Sequence, residues 1–403
     1  MNVAICVATY MHPEVVEDVL NKAIDLYKRK EIDVYYYDSS SNEKTKNIVE
    51  GYINKGYDNL YYIQLPSEVP VDDKLSMIFA GEGQKKEYKY LWPVKDRVYF
   101  NESTLEQVEE AMNEQYDAIL LGVLPCFAHP IVEDRIYTDV AEFYLDWGYM
   151  ATSLDVNIYR IDTVLKDFDR KNMEGYDKNF THFTVLFENI VDGMRIKLLK
   201  NKGITAINSR LGQSTWTKKV FSIWKNDWIY VNEILPERYN KHKSNVIKQA
   251  GKLPWIFGTV DILIKYHELG ILVPDNLEEI LKDWDKVSDI SKDKVIAIAN
   301  NRYDRKHDLD YVPKNKDEIL DILVQICEMV KCRKIEKEKI PFDDIIQVYM
   351  SRVIARYGKQ DEKIYIIAGS LEDIINNILD KRENPEDICK EIQMLITMFL
   401  LLK

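Results

Sequence analysis

The amino-terminal part of the chain alternates short apolar runs with segments whose apolar residues recur at helical spacing. The run at residues 3–8 is continuous, as in a strand covered on both faces, and residues 15–24 then form a helical apolar stripe. Further strands are predicted at residues 32–37, 61–65, 88–94 and 118–123. Repeated strand–helix units predict an α/β fold with a mostly parallel sheet flanked by helices.

Two more helices are predicted between these strands. One runs from about Lys44 to Lys55. The other begins at Ser103 to Glu106, which fits a capping box, and continues through Met112. Each lies where a strand–helix–strand unit needs its connecting helix.

Beyond about Asn232 the pattern changes to helical spacing alone. Apolar residues separated by charged ones occur in residues 260–269, 277–284, 319–330, 344–356 and 371–379. We therefore predict an α/β domain at residues 1–235 and a mainly α-helical C-terminal domain at residues 236–403. The polar stretch after Leu235 and Pro236 marks the predicted junction.

Composition and charge narrow the class of protein. The 403 residues include 55 Lys and Arg against 67 Asp and Glu, which gives a net charge of −12. A large basic face for nucleic acid is therefore not expected. The cysteines are scattered and form no CxxC pair, so neither a zinc ribbon nor a disulfide framework is predicted. With no signal peptide and no apolar run long enough to span a membrane, we expect a cytoplasmic protein.

Unusual polar residues follow the predicted strands, where ligands of parallel sheets bind. Thr9, Tyr10 and His12 follow the first strand, Asp38 follows the second, and Lys95-Asp96-Arg97 follows the fourth. Asp38 either accepts hydrogen bonds from a nucleoside or forms an Asx-turn or helix cap. His12, before Pro13, is more typical of a loop histidine than of a ligand. No glycine-rich phosphate loop follows the first strand, which disfavours dinucleotide-binding and nucleotidyltransferase folds.

Three stretches carry a resemblance to the family 2 glycosyltransferases, which have the GT-A fold. They read ICVATYMHPEVVEDVLNKAI, DVYYYDSSSNEKT and YKYLWPVKDRVYF, and the resemblance covers roughly residues 1–208. It implies that Thr9, Tyr10 and Asp38 face the nucleotide of a sugar donor and that Asp96 lies near its diphosphate. Lys74, between the third and fourth strands, is a further phosphate candidate.

The chain departs from this family at the acidic signature that usually holds a divalent cation. Asp96 is its single carboxylate there and stands between Lys95 and Arg97. Mg²⁺ and Mn²⁺ prefer several oxygen ligands, and adjacent cations repel them. We therefore expect Lys95 or Arg97 to neutralise the leaving diphosphate without a metal, because arginine binds phosphate bidentately. The alternatives are Mg²⁺ or Mn²⁺ held by Asp96 and the donor phosphates, and a domain that binds without catalysing.

An inverting transfer also needs a general base for the acceptor hydroxyl. The resemblance places it late in the α/β domain, where Glu188-Asn189 is similar to an acidic pair with its second acid replaced. His182, Glu188 and Asp155 are the three candidates, and each has a structural role as its alternative. A tryptophan-rich segment, Trp216 to Trp228, suits either an acceptor sugar or core packing.

Together these features predict a bacterial, cytoplasmic glycosyltransferase that uses a nucleotide-sugar donor, with UDP as the expected nucleotide. The expected acceptor is a glycan, a lipid-linked sugar or a glycoprotein. The alternative is an inactive GT-A-like protein that binds nucleotide or chaperones a partner. The apolar tail at residues 392–402 predicts a core helix, a homo-oligomer interface or a peripheral contact at the inner face of the membrane.

Overall fold

A computed structural model describes residues 1–122, 133–170, 178–200, 204–206, 216–253 and 256–303. The chain divides into two compact units. Met1–Ile256 and Glu278–Ser291 form the first, and the described part of the second comprises residues 257–277 and 292–303. The predicted functional division at residue 235 stays a prediction.

The first unit is built on strands that make two sheets. The strands are β1 Val3–Thr9, β2 Asp33–Asp38, β3 Leu60–Gln64, β4 Tyr90–Lys95, β5 Val98–Phe100, β6 Ala118–Gly122, β7 Arg135–Tyr137, β8 Asn157–Arg160, β9 Ile196–Lys200 and β10 Ile204–Ala206. Eight of them form one sheet in the order β3-β2-β1-β4-β8-β6-β9-β7, and β5 pairs with β10 in a small second sheet. The main sheet is parallel from β3 to β4, whereas β8 runs antiparallel to both of its neighbours and β7 runs antiparallel to β9.

The helices follow the strands in the order that the pattern predicts. They are α1 Pro13–Arg29, α2 Lys44–Asn54, α3 Val71–Phe79, α4 Glu102–Asn113, α5 Val140–Trp147, α6 Thr181–Asn189, α7 Trp228–Ile234, α8 Lys243–Gly251, α9 Val260–Glu268, α10 Leu277–Leu281, α11 Trp284–Val287 and α12 Lys292–Ala299. Helix α3 packs on β1 and β4, α4 packs on β9, and α2 packs on β3 and α1. The predicted α/β fold, with a mostly parallel sheet flanked by helices, is confirmed.

Helix α1 shows why this layer is stable. Pro13 occupies its first turn, where no intrahelical N–H bond is lost. Its apolar stripe, from Val16 to Tyr27, is buried, while Lys28 and Arg29 lie in the last turn, where they complement the helix dipole. The apolar periodicity read from the sequence is therefore the buried face of the helix.

Two helix predictions differ from the structure in detail. The side chain of Asn101, rather than Ser103, caps α4 by accepting a hydrogen bond from Thr104 N, because an earlier asparagine satisfies the same backbone donors. The segment predicted at residues 277–284 breaks into α10 and α11, because Asp283 adopts a left-handed conformation with φ 57°.

The described part of the helical region supports the change of character predicted beyond residue 232. Helix α9 matches the segment predicted at residues 260–269. The segments predicted at residues 319–330, 344–356 and 371–379, and the apolar tail, lie outside the described residues. Within the residues that the structure describes, no helix is both long enough and apolar enough to cross a membrane.

Candidate functional site

Strand register brings the predicted donor residues to one edge of the sheet. Thr9 at the end of β1 is level with Asp38 at the end of β2, and Ala8 is level with Lys95 at the end of β4. From β1 the chain adds β2 and β3 on one side and β4 on the other, so the sheet order reverses between β1 and β4. Open α/β sheets bind ligands outside the carboxyl ends of the strands at such a reversal.

Thr9, His12 and Asp96 form a hydrogen-bonded cluster at this reversal. Thr9 Oγ1 donates to Asp96 Oδ2 at 3.0 Å, and His12 Nδ1 lies 2.9 Å from the same oxygen. Thr9 and Asp96 are buried, whereas 48% of the His12 side chain is exposed. The carboxylate therefore joins the ends of β1 and β4 to the first turn of α1.

The environment of His12 favours its charged form. The hydrogen bond to Asp96 raises the pKa of His12, and partial burial and the charge of Arg97 act in the opposite direction. Glu14, on the first turn of α1, adds a smaller effect that also raises this pKa. A half-exposed imidazole is thus held by a buried carboxylate and feels the opposing charge of Arg97.

Lys74 supplies a buried cation beneath the same cluster. It lies on α3, is 4% exposed, and donates from Nζ to the carbonyl oxygen of Thr9 at 2.6 Å. Burial lowers the pKa of Lys74 to about 8, while the charges of Asp38 and Asp96 act to raise it. The exposed ring of Tyr10 lies over this ammonium, with its centroid 5.6 Å from Nζ.

Asp38 adopts the Asx-turn that the sequence left as an alternative. Its Oδ1 accepts from Ser40 N at 2.8 Å and from Ser40 Oγ at 2.5 Å, and its Oδ2 accepts from Tyr62 OH at 2.8 Å. The residue is fully buried. The turn fixes the loop after β2, and a contact from Asp38 to a nucleoside stays a prediction.

Lys95 and Asp155 form a second pair beside the cluster. Asp155 Oδ1 accepts from Lys95 N at 2.7 Å, and Oδ2 accepts from Lys95 Nζ at 2.8 Å. The Asp155 side chain is 5% exposed and that of Lys95 is 46% exposed. Trp92 of β4 also donates from Nε1 to the carbonyl oxygen of Asp155 at 2.9 Å. Asp155 thus anchors the end of β4 and orients Lys95.

His182 lies near this pair but is closed to solvent. Its Nε2 lies 2.9 Å from the carbonyl oxygen of Thr152, to which it donates, and its buried Nδ1 has no hydrogen-bond partner among the described residues. Burial lowers the pKa of His182 to about 4, and the charges of Lys95 and Asp155 contribute smaller, opposed effects. In this conformation the ring is neutral and its accepting nitrogen is not exposed to an acceptor.

Glu188 lies near the carboxyl end of α6, away from the cluster. It is six positions along the helix from His182, which corresponds to about 9 Å of axial rise. Its neighbour is Arg238, which donates from Nη2 to the carbonyl oxygens of Phe187 and Glu188 at 3.1 and 2.8 Å. Its Oε2 is buried without a hydrogen-bond partner among the described residues. The structure therefore does not bring Glu188 together with the strand-end residues.

The tryptophan-rich segment is divided in the structure. Trp228 is fully buried and packs on Phe180 and Phe183, which is the packing role left open by the sequence. Trp224, on a π-helical turn at Ser222–Asp227, is half-buried and meets Phe180 edge to face. An acceptor contact from this segment stays a prediction.

The donor atoms at Asp96 are a poor fit for a resident divalent cation. In the described ranges, no group of three or more His, Cys, Asp or Glu side chains is placed to hold a metal ion. Asp96 offers one carboxylate, and its Oδ2 already accepts from Thr9 and His12. Mg²⁺ and Mn²⁺ prefer several oxygen ligands, so the protein groups alone do not form such a site.

His12 is the residue that sequence reasoning missed. Its position before Pro13 is typical of a loop histidine, and its contact with Asp96, 84 positions away in the chain, leaves no sign in the local pattern. The usable signal was topological, since both residues follow strands that become neighbours when β4 is added beside β1.

Comparison with known proteins finds likenesses among solved structures only. No protein-family model matches this chain, and no curated protein matches it. The chain is similar to the crystal structure of residues 1–349 of S. aureus TarS, with 16% identity and a TM-score of 0.46, covering 75% of this chain and 91% of that one. The same protein in complex with UDP-GlcNAc matches with 14% identity and a TM-score of 0.44, covering 89% and 92%.

A mannosyltransferase is a further likeness. PcManGT from Pyrobaculum calidifontis, in complex with GDP-Man and Mn²⁺, matches with 13% identity and a TM-score of 0.44, covering 75% of this chain and 86% of that one. Likenesses at these identities and TM-scores establish neither a family nor an activity for this chain.

Proposed function

We propose that this protein is an inverting glycosyltransferase of the hexosyl- or N-acetylhexosaminyltransferase type. Its donor is a UDP-linked sugar, and its acceptor is a glycan, a lipid-linked sugar or a glycoprotein. The observation that carries the proposal is the convergence of Thr9, Asp96 and Lys74 at the reversal between β1 and β4. The family resemblance of residues 1–208 supports the same donor class.

Each strand end has a role in donor binding. The loop closed by Asp38 and the exposed ring of Tyr10 contact the nucleoside. Lys74 and Arg97 face the diphosphate, and Lys95 reaches it when its ammonium leaves Asp155. Cationic side chains then neutralise the charge that develops on the leaving diphosphate, the task that a bound cation performs in many glycosyltransferases.

Transfer breaks the bond between the anomeric carbon and the diphosphate oxygen, and the electron pair leaves with UDP. The acceptor oxygen forms the new bond from the opposite face, and its proton passes to a general base. Asp155 accepts that proton only after Lys95 moves away, since both of its oxygens are engaged. His182 serves only after a rearrangement that opens Nδ1, and Glu188 only after one that brings α6 closer.

The positions of Asp155, His182 and Glu188 favour a second candidate function, binding of a nucleotide without catalysis. All three candidate bases are paired, buried or remote in the described conformation. A protein that binds nucleotide without catalysing, or that chaperones a partner transferase, would show this arrangement. Such a protein would bind a nucleotide-sugar and leave it intact.

A panel of nucleotide-sugars tests the proposal and separates the two candidates. Thermal shift and hydrolysis are measured for each donor, with and without EDTA. We expect one UDP-sugar to stabilise the protein and to be hydrolysed in the presence of EDTA. Binding without hydrolysis supports the second candidate, and loss of turnover on chelation contradicts transfer without a metal.

The Asp38→Asn variant tests the nucleoside assignment in the same assay. Asparagine keeps an oxygen for the turn to Ser40, so we expect the fold to survive while donor affinity falls. Unchanged donor affinity would show that the Asp38 carboxylate does not contact the nucleoside.

A further inference from the structure

We propose that His12 is a diphosphate-binding residue of this site: Asp96 holds its ring at Nδ1, and its Nε2 donates a hydrogen bond to the phosphates of the bound nucleoside diphosphate. The inference rests on the proposed function. It adds His12 to the diphosphate contacts that we propose for Lys74, Lys95 and Arg97.

The hydrogen bond to Asp96 fixes which nitrogen faces the ligand. A carboxylate oxygen accepts, so Nδ1 carries a proton and donates to Asp96 Oδ2 across 2.9 Å. The second ring nitrogen, Nε2, has no hydrogen-bond partner in the part of the chain that the structure describes, and the side chain is 48% exposed. A histidine ring oriented by a buried carboxylate through one nitrogen presents the other nitrogen to a substrate.

Further contacts fix the groups on either side of the His12 ring. Thr9 Oγ1 donates to the same carboxylate oxygen as His12, so Asp96 is itself fixed by β1. Met11 N donates to Ser40 Oγ at 2.8 Å, and Met11 has φ 55°, a left-handed conformation that residues with a side chain rarely adopt. Because these contacts already order the His12 ring, it loses less conformational entropy when it binds a ligand.

The charges around His12 suit an anion. Arg97 is close enough to act electrostatically on the ring, and the Lys74 ammonium lies at the Thr9 carbonyl. Two negative charges also act on the ring. The Asp96 carboxylate already accepts hydrogen bonds from Thr9 and His12, and Glu14 is exposed to solvent on the first turn of α1. Phosphate oxygens accept hydrogen bonds from imidazole and guanidinium groups with added strength from charge.

A purely structural role explains this arrangement less well. His12 occupies the position that caps α1, yet its side chain makes no capping hydrogen bond. The buried Asp96 carboxylate also accepts from Thr9 Oγ1, so His12 is not its only hydrogen-bond donor. What the contact does provide is a fixed direction for Nε2.

Substitutions at His12 separate the two ring nitrogens. His12→Asn keeps an amide that can donate to Asp96 but places no atom at Nε2, whereas His12→Gln extends its amide to about that position. The matched control is His242→Asn, because His242 also stands at the cap position of a helix, α8, which packs on α5, α7 and α11.

Binding of UDP and uridine to the full chain is measured by calorimetry and by ligand-observed NMR. We expect His12→Asn to weaken UDP binding about ten- to a hundredfold and to leave uridine binding unchanged. His12→Gln should recover part of the loss, and His242→Asn should match the wild type. Equal loss for UDP and uridine, or no loss for UDP, would overturn the inference while leaving the donor site intact.

Failure of the proposed function is a different result. It would appear as wild-type protein that binds none of UDP, GDP, CDP and ADP. That outcome overturns the donor site and this inference together.

Discussion

At the scale of single residues, burial changes the acidity of Lys74, which we assign to the diphosphate. Its ammonium is buried, bonded to one carbonyl, and surrounded by the charges of Asp38 and Asp96. Burial disfavours the charged form and brings the pKa of Lys74 down to about 8. A phosphate that approaches this ammonium restores a counter-charge.

We expect UDP affinity to fall as the pH rises through about 8, because Lys74 loses its proton in that range. The fall should reach about tenfold by pH ~9.5, the size of one charge-assisted hydrogen bond. Calorimetric titrations at pH ~7 and ~9.5 measure it. The Lys74→Met variant should bind weakly at both pH values, and a variant that retains the wild-type pH dependence would contradict this assignment.

His182 gives a prediction about the stability of the fold in acid. Its folded pKa is about 4, below the value of 6.5 for an exposed histidine, so the unfolded chain binds more protons between these values. The free energy of unfolding should therefore fall as the pH drops from 6.5 towards 4, by up to about 3 kcal/mol from this residue.

The His182→Gln variant isolates this contribution, because glutamine can still donate to the Thr152 carbonyl but does not titrate. Urea unfolding of both proteins from pH ~7 to ~4 measures the difference. The wild type should lose more stability than the variant, and parallel losses would show that His182 is not buried as a neutral ring.

Residue patterns predicted which residues meet, but not how they bond. Thr9, Asp38 and Asp96 were selected because they follow strands, and strand register does bring Thr9 level with Asp38. The bond from His12 to Asp96 was not predictable from local pattern, because it depends on where two distant loops cross. The burial of His182 was also not predictable, because the local sequence around a polar residue does not show what packs against it in the fold.

At the scale of elements, the long periodic segments were predicted well and the short ones poorly. Strands β1 to β4 and helix α2 lie within about two residues of their predicted positions, because each contains an apolar run or a periodic apolar set that is visible in the sequence. Strands β5, β7, β8 and β10 have three or four residues, too few to show a period. Their antiparallel pairing comes from tertiary contacts.

The pair between Lys95 and Asp155 joins two such elements, the end of β4 and the turn before β8. We expect Asp155→Asn to lower the free energy of unfolding by about 1–3 kcal/mol, because it removes the charge partner of Lys95 at a buried position. The matched control is Asp162→Asn. The Asp162 side chain is 59% exposed in its pair with Arg160, so this variant should cost less than about 1 kcal/mol.

Chemical denaturation of the two variants measures both costs on one scale. Equal losses would mean that the buried pair does no more for the fold than an exposed one. A rise in UDP affinity for Asp155→Asn, with uridine affinity unchanged, would add that the Asp155 carboxylate holds Lys95 away from the diphosphate.

At the scale of the whole molecule, the proposed roles divide along the chain. Residues 1–235 carry the strand ends that we assign to the donor, and we propose that residues 236–403 serve acceptor, oligomer or membrane-surface contacts. The described helices of the second unit, α9 and α12, pack on each other.

The central claim is that the carboxyl edge between β1 and β4 holds a nucleoside diphosphate, and a crystal structure of the full chain with UDP tests it most directly. Our account places the diphosphate within hydrogen-bonding distance of His12, with Lys74 and Arg97 beside it and the uracil near the loop after β2. Electron density for UDP at any other part of the surface, with this edge empty, would contradict the account.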